Sequence, residues 1–363
     1  MDPPSPEARD YDYDLPEDRI RLVPPPRREE SRLAVVPRSR PAGGGPPFLA
    51  SSVSLLPSLL SPGDLLVAND SRVVPARTRA RTSRGRAIDI LVLGPFDGGK
   101  GEPGGPGETV RFLGKGLKGE GRLTLFEGRG LLEGIFYDEA LECFSGEYRG
   151  EDTLVAFLDA QGEMPLPPYI ARRRKADRND RDRYQTVYSR VPGSVAAPTA
   201  GLHLGTGLLD RLQEEGIDRA SVTLHVGVGT FRGLSDGPVD RHRMHEEWFS
   251  VPRETAEAIS RTRARGGRVV AVGTTSLRAL ESAYALGEIP GEGRAGWTRL
   301  YVRPGYRFLA TDGLLTNFHT PRSTLLVLVD AFLGGDGRWR EIYEEALREG
   351  FFFLSYGDAM LVV

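Results

Sequence analysis

Five histidines fall within one stretch of the chain: His203, His225, His242, His245 and His319. Imidazole titrates near ~6.5 and can take or give a proton close to neutral pH. Three of the five stand where a strand gives way to a turn: His203 in PTAGLH, His225 in TLHVGVGTF and His319 in TNFHTP. The clearest turn of this kind is VVAVGTTSLRALES. There a strand at 269–272 runs into Gly273, Thr274, Thr275 and Ser276, and a helix follows from Leu277. In open α/β sheets such turns lie at the carboxyl ends of the strands, where ligands bind. Glycines let backbone N–H groups approach a ligand, and hydroxyls and the helix N-terminus supply polar contacts. In one turn alone this is ordinary strand-to-helix chemistry. Five such segments (199–203, 225–230, 273–278, 316–319 and 355–358) with the same polar density point to one shared site. His242 and His245, three apart beside Glu246 and Glu247, leave a metal site open, but nothing else supplies ligand spacing.

The elements that must position these residues divide in two. Between about 62 and 155 short strands alternate with glycine-bearing turns. The candidates are Asp64–Ala68, Ile88–Leu93, Thr109–Phe112, Arg122–Phe126, Leu131–Tyr137 and Leu154–Phe157, the pattern of a small all-β barrel. From about 195 strands alternate with helices. Thr206 can cap an amphipathic helix carrying Leu208, Leu209 and Leu212, and Pro252 opens another. Thr320 and Pro321 start a third, and Trp339, Ile342, Tyr343, Ala346 and Leu347 form a last helical stripe. Such alternation predicts a helix-covered, mostly parallel sheet. The expected architecture is α/β, or α+β in its multidomain sense. A discontinuous α/β catalytic domain (1–61 and 156–363) is interrupted by a small β-barrel domain (62–155).

Composition narrows the class. The chain has 363 residues, 39% apolar and 27% charged, enough for two domains. Glycine and proline are in excess, with 45 and 27 residues. Two stretches, 41–47 and 94–107, concentrate them as loops. No apolar run reaches the ~18 residues of a membrane span, and the acidic head is not expected to be a signal peptide. Cys143 is the only cysteine, which excludes an intrachain disulfide and suits a reducing cytoplasm. A net charge of −2 argues against a nucleic-acid binder, but it averages over patches. An acidic head offsets arginine-rich stretches at 72–86, 172–183 and 261–268, and a polyanionic partner would fit these. Gly114, Gly116 and Gly119 spell G-x-G-x-x-G, but in an all-β stretch opening no helix; it is not a nucleotide fingerprint. The P-loop, H-E-x-x-H and G-x-S-x-G motifs are absent.

At these residues the sequence resembles the S-adenosylmethionine:tRNA ribosyltransferase-isomerase family of queuosine biosynthesis. The likeness runs nearly end to end. It is carried by YDYDLPEDRI, SRLAVV, PGDLLVANDSRVVPAR, MPLPPYI, DRYQTVYS, VAAPTAGLH, VTLHVGVGTF, MHEEW, VAVGTTSLRALES, GWT, RPGYRF, TNFHTPRSTLL and SYGDAM. The resemblance implies that the ribosyl unit of S-adenosylmethionine is joined to the exocyclic amine of 7-aminomethyl-7-deazaguanine at the wobble position of tRNA. Epoxyqueuosine forms, and adenine and methionine leave. A cytoplasmic monomer acting without a metal is implied, with an α/β domain holding an inserted barrel. The chemistry needs a base beside the sulfonium and an acid for adenine. The candidates are His203, His225 and His319, with Asp358 as an orienting or proton-accepting carboxylate. Thr199, Gly227, Gly229, Thr230, Thr274, Thr275, Ser276, Asn317 and Tyr356 would contact S-adenosylmethionine or the base. Arg278 would hold a carboxylate such as the methionine tail. Arg72, Arg77, Arg172, Arg173, Arg174 and Arg183 would meet tRNA phosphates, and Tyr184 and Tyr188 would stack on unpaired bases.

The chain departs from the family pattern at Leu204, Gly205 and Thr320, which flank site histidines, and at Asp89 and the Arg21–Leu22 pair. The 94–107 insert is also outside it. Three alternatives stay open on sequence alone: a diverged paralogue using S-adenosylmethionine on another acceptor, a conventional methyltransferase, and a non-enzymatic RNA-binding protein.

Overall fold

The computed structural model describes residues 5–40, 43–94, 108–139, 141–227, 229 and 233–363. Thr230 and nearly all of the 94–107 stretch lie outside these.

A nine-stranded sheet forms the body. Its centre is four parallel strands in the order Asp218–Leu224, Leu65–Asn69, Val269–Val272 and Gly313–Asn317. Leu65–Asn69 and Val269–Val272 are buried along their whole length, as strands covered on both faces must be. Beyond Gly313–Asn317 come Ala359–Val362, antiparallel to it, then Arg32–Val36, parallel, and Leu49–Ser52, antiparallel. At the other edge Glu247–Pro252 and Gly293–Thr298 add two antiparallel strands. The sheet is therefore mixed, with its parallel strands gathered at the centre.

Alternation along the strands divides the core between the two faces. Ala34, Val36, Leu314, Met360 and Val362 pack with the helices Thr324–Phe332 and Trp339–Arg348 and with Tyr11 of the head. Leu33, Leu315 and Leu361 face the helix Thr206–Glu214, which inserts Leu208, Leu209 and Leu212. Ser323 caps the helix Thr324–Phe332 by accepting from Leu326 N–H at 3.2 Å.

The second body is a closed antiparallel barrel. Its strands run, in order around it, Cys143–Gly150, Glu108–Gly114, Ala87–Gly94, Arg77–Thr82, Arg122–Leu125 and Gly130–Asp138. Its interior is a separate apolar cluster containing Ala80, Val92, Phe112, Leu123 and Leu132. Arg77–Thr82 explains part of the arginine-rich stretch. Thr78, Ala80 and Thr82 point inward, and Arg79 and Arg81 outward.

Two strand expectations are corrected. The segment read as Asp64–Ala68 is not a barrel strand; Leu65–Asn69 is central in the large sheet, because its unbroken apolar run suits burial on both faces. Leu154–Gln161 is a helix rather than a strand. Thr153 caps it by accepting from Ala156 N–H at 3.2 Å, and Leu154, Phe157 and Leu158 recur at helical spacing.

Candidate active site

The central strands end together at one side of the sheet. Val269–Val272 turns at Gly273, whose φ of 88° favours glycine, and the helix Thr274–Tyr284 starts at once. Gly313–Asn317 ends beside it. The 3₁₀ turn Thr199–His203 closes the third side. Together they border a cavity of about 310 Å³ lined by Thr199, Gly273, Thr274, Thr275, Arg278, Asn317 and His319, with Tyr169, Arg172 and Tyr184 on the far wall. That size lies within the usual range for a small-molecule site.

Thr199 and Asn317 are the outer end of a buried chain. Thr199 donates to Asn317 Oδ1 at 2.8 Å, and Asn317 Nδ2 reaches His203 Nε2 at 2.9 Å and the Asp358 carbonyl at 3.4 Å. A carbonyl can only accept, so the Asp358 contact assigns the amide's nitrogen end. His203 Nε2 is then an acceptor, and the neutral ring carries its proton on Nδ1. Burial, helped by the Arg28 and Arg21 guanidiniums, pushes this imidazole down to about 4. His203 lies behind Asn317 and is not part of the cavity wall. Asp358 lies deeper still. Its carboxylate accepts N–H bonds from Arg32 at 2.9 Å and Phe352 at 2.8 Å, and burial raises its pKa. It touches the chain through its backbone carbonyl alone.

His319 is the histidine on the cavity wall. Its Nε2 contacts Thr316 Oγ1 at 3.0 Å, its backbone N–H donates to the Tyr343 hydroxyl at 3.1 Å, and Tyr13 OH donates to its carbonyl. Its Nδ1 has no hydrogen bond among the described residues. Burial pushes it down to about 3, so it is neutral at physiological pH.

Arg278 sits one turn into the helix Thr274–Tyr284. Its Nη1 pairs with Glu247 and its Nε donates to the Leu300 carbonyl at 3.1 Å, while Nη2 is buried without a protein partner. Thr275 Oγ1 is also buried and unpartnered. Two orphaned polar groups beside a helix N-terminus suit an anionic ligand group. Ser276 is not with them. It is 0% exposed and its hydroxyl donates to the Val272 carbonyl at 2.7 Å, four residues back.

His225, Gly227 and Gly229 line a second, wider cleft of about 930 Å³ between the sheet edge and the barrel residues Leu93, Leu141 and Cys143. His225 lies flat against Trp248, ring centroids 5.1 Å apart at 19°. Its Nδ1 is buried without a partner, and burial pushes the ring down to about 4. A Cβ at Gly193 would overlap the imidazole, so glycine is required there. Gly227 N–H donates to Glu247 Oε1 at 3.0 Å, so one carboxylate ties the cleft to Arg278 in the cavity. Asp236 and Glu246 on this cleft pair with Arg322 and Arg299. Val226 and Gly233 line both hollows.

The residues expected on RNA are mostly engaged elsewhere. Arg174 makes two bonds of 2.7 Å to Asp180, Arg173 pairs with Glu17 at 2.9 Å, Arg72 grips Asp159 at 3.1 and 3.2 Å, and Arg183 donates to the Pro25 and Pro26 carbonyls. Tyr184 is 0% exposed, which corrects the expectation that it stacks on RNA; its ring meets Tyr356 edge-on. Tyr356 donates to Asp180 Oδ1 at 3.3 Å and is not on the cavity wall. Arg77 and Arg172 have no side-chain partner among the described residues, and Arg172 stands at the cavity. Sequence reasoning missed Trp248 and Gly193. The Pro192–Gly193 turn dipeptide and the aromatic closing MHEEW were the available signals.

Among the described residues no group of three His, Cys, Asp or Glu side chains could hold a metal, and no helix is long and apolar enough to cross a membrane.

The sequence model of the family described as "Queuosine biosynthesis protein" matches residues 8–362. The chain is 46% identical to a protein of Anaeromyxobacter sp. (strain K) over 98% of each chain, and 46% identical to one of Thermus thermophilus over 97% of this chain and 98% of that one. Both carry the name S-adenosylmethionine:tRNA ribosyltransferase-isomerase. The crystal structure of S-adenosylmethionine tRNA ribosyltransferase from Thermotoga maritima superposes with a TM-score of 0.53 at 30% identity, covering 98% of this chain and 100% of that one.

Proposed function

The chain belongs to the queuosine biosynthesis protein family, and from that premise we propose that it is an S-adenosylmethionine:tRNA ribosyltransferase-isomerase. It transfers and isomerises the ribosyl unit of S-adenosylmethionine onto the amine of 7-aminomethyl-7-deazaguanine at the tRNA wobble position, giving epoxyqueuosine and releasing adenine and methionine. The observation that carries this reading is the convergence of Thr199, Asn317, His319 and the start of the helix Thr274–Tyr284 on one cavity, with Arg278 Nη2 and Thr275 Oγ1 left orphaned in its wall.

The small cavity takes S-adenosylmethionine. Its methionine carboxylate lies against Arg278 Nη2, Thr275 and the helix N-terminus, where positive potential meets negative charge. His319, neutral and open at Nδ1, accepts the proton removed beside the sulfonium, which the positive sulfur makes more acidic. His225, neutral and unpartnered, serves the second proton transfer at the attacking amine. His203 and Asp358 act through Asn317, holding its amide so that Thr199 faces the ligand. Arg172 and Arg77 meet tRNA phosphates. The separate apolar interior of the barrel supports its reading as an inserted unit between the two parts of a catalytic α/β unit. A cytoplasmic monomer is part of the same proposal, to which the single free, buried Cys143 is suited.

The test incubates the protein with S-adenosylmethionine and tRNA bearing the 7-aminomethyl-7-deazaguanine. Adenine, methionine and a heavier nucleoside are expected in equal amounts. Release of S-adenosylhomocysteine without adenine would reject the reading. His319→Ala should slow adenine release by about 10²–10⁴; unchanged release in His203→Ala, His225→Ala and His319→Ala alike would reject the residue roles.

A further inference from the structure

The wide cleft has a feature that a small-molecule site does not need. Trp248 and Trp297 are direct partners across the antiparallel strands Glu247–Pro252 and Gly293–Thr298. Directly opposed residues share one face of a sheet, with Cβ atoms about 5 Å apart. The two tryptophans therefore share one face at the sheet edge. His225, one strand further in, is stacked on Trp248 at 19°. All three rings line the cleft, and Trp297 is 46% exposed. An indole left in water at the mouth of a large hollow is a surface awaiting a flat partner. Two further residues on this wall, Arg241 and Arg243, are exposed and make no ion pair among the described residues.

Flat aromatic faces in a row beside unpaired guanidiniums are what single-stranded nucleic acid uses. Bases stack on the rings, and the arginines meet the phosphates between them. We propose that Trp248 and Trp297, the first backed by His225, form a stacking platform for unpaired nucleotides of the RNA substrate, with Arg241 and Arg243 on its backbone. RNA enters through the wide cleft, and its reacting nucleoside meets the small ligand at Val226 and Gly233, the residues the two hollows share. This rests on the tRNA reading above and adds where the strand lies and what grips it.

The protein carries its own probe. It has three tryptophans, and the third, Trp339, is 2% exposed and packed against Tyr11 in the core. A ligand-dependent change in tryptophan emission therefore reports on the cleft. The full chain is titrated with an unmodified anticodon stem-loop RNA, with a blunt RNA duplex, and with S-adenosylmethionine alone. The stem-loop should quench strongly and the duplex weakly, and Trp248→Phe and Trp297→Phe should each remove part of the signal. Trp297→Ala should raise KM for tRNA by about 5- to 100-fold, leave KM for S-adenosylmethionine within about twofold, and keep the wild-type melting curve. Stem-loop binding without quenching, or an unchanged tRNA KM in Trp297→Ala, would overturn the platform while leaving the transfer reaction standing. Quenching by S-adenosylmethionine as strong as by RNA would assign the cleft to the donor instead. Absence of adenine release by the unaltered protein would reject the activity rather than the platform.

Discussion

The two hollows that meet at Val226 and Gly233 differ in the kind of group each leaves unpaired. In the small cavity the side chains are tied to one another before any ligand arrives. Thr199 bonds Asn317, Asn317 bonds His203, Thr316 contacts His319, and Arg278 is locked to Glu247. In the wide cleft Asp236 and Glu246 are paired, but Arg241 and Arg243 stand free of ion pairs among the described residues, beside His225 stacked on Trp248 and the half-exposed Trp297. A fixed polar wall suits a small molecule whose atoms must be placed to fractions of an ångström. A flat face with unpaired cations suits a polymer that can shift its register. Glu247 joins them, accepting from Arg278 on one side and from Gly227 N–H on the other.

The sharpest way to break this comparison is to cut that link. Arg278→Met leaves Glu247 buried with an uncompensated charge, a loss of about 3–5 kcal/mol. Urea denaturation should show the unfolding free energy falling by that much, with Arg278→Met/Glu247→Gln recovering most of it. In the double variant, binding of S-adenosylmethionine should stay weak although the fold is restored, because the arginine of the cavity wall is gone. A stable single variant would mean that the cavity wall is not fixed in advance.

How much of this was legible in the sequence differs between the hollows. The part of the small cavity at 273–275 and 316–319 was legible because strands end there in glycine and hydroxyl residues, and strand ends of an open sheet converge; Tyr169, Arg172 and Tyr184 gave no such sign. The barrel was visible through its turns, but Leu65–Asn69 was misplaced because short apolar runs look alike in a barrel and in a sheet centre. The helix Leu154–Gln161 was missed although Thr153 was there to cap it. The platform was not legible. It depends on the register that sets Trp248 opposite Trp297, and residues so far apart in sequence give no local sign of pairing. The arginine stretch at 172–183 misled for a related reason. Composition shows seven bases there but cannot show that Arg173, Arg174 and Arg183 have partners within the fold.

Acid should strain both hollows alike, an effect that the comparison must survive. Burial pushes His203 and His225 down to about 4 and His319 to about 3, against an ordinary value near ~6.5 in the unfolded chain. As pH falls below ~6.5 the unfolded chain takes up protons that the native protein refuses. Stability is therefore complete above that value and is lost on the way down towards 4. At pH 5 the loss is about 2 kcal/mol for each histidine. Asp330 and Asp358, whose carboxyls burial raises, work in the opposite direction at the acid end. Denaturant midpoints measured at pH 7, 6 and 5 should fall steadily. His203→Gln, which keeps an acceptor for Asn317 without a titrating ring, should flatten the fall by one histidine's share. No flattening would show that the ring is hydrated and that the small cavity is looser than its bonds suggest.

The smallest effect separates the cleft from Arg72, in the arginine-rich stretch that leads into the barrel. Arg72 holds Asp159 through two bonds in a half-exposed pair. Arg72→Ala should therefore cost no more than about 1 kcal/mol of stability. Because its guanidinium is already occupied, tRNA binding should keep nearly the same salt dependence. Arg243→Ala removes a cation with no protein partner among the described residues. If that cation meets one phosphate of an unpaired strand, the slope of log affinity against log salt should shrink by about 0.7. Filter binding of tRNA between about 50 and 200 mM salt reads both slopes. A smaller slope for Arg72→Ala than for Arg243→Ala would place the strand against Arg72 and the helix Leu154–Gln161, and the wide cleft would lose its claim to the RNA.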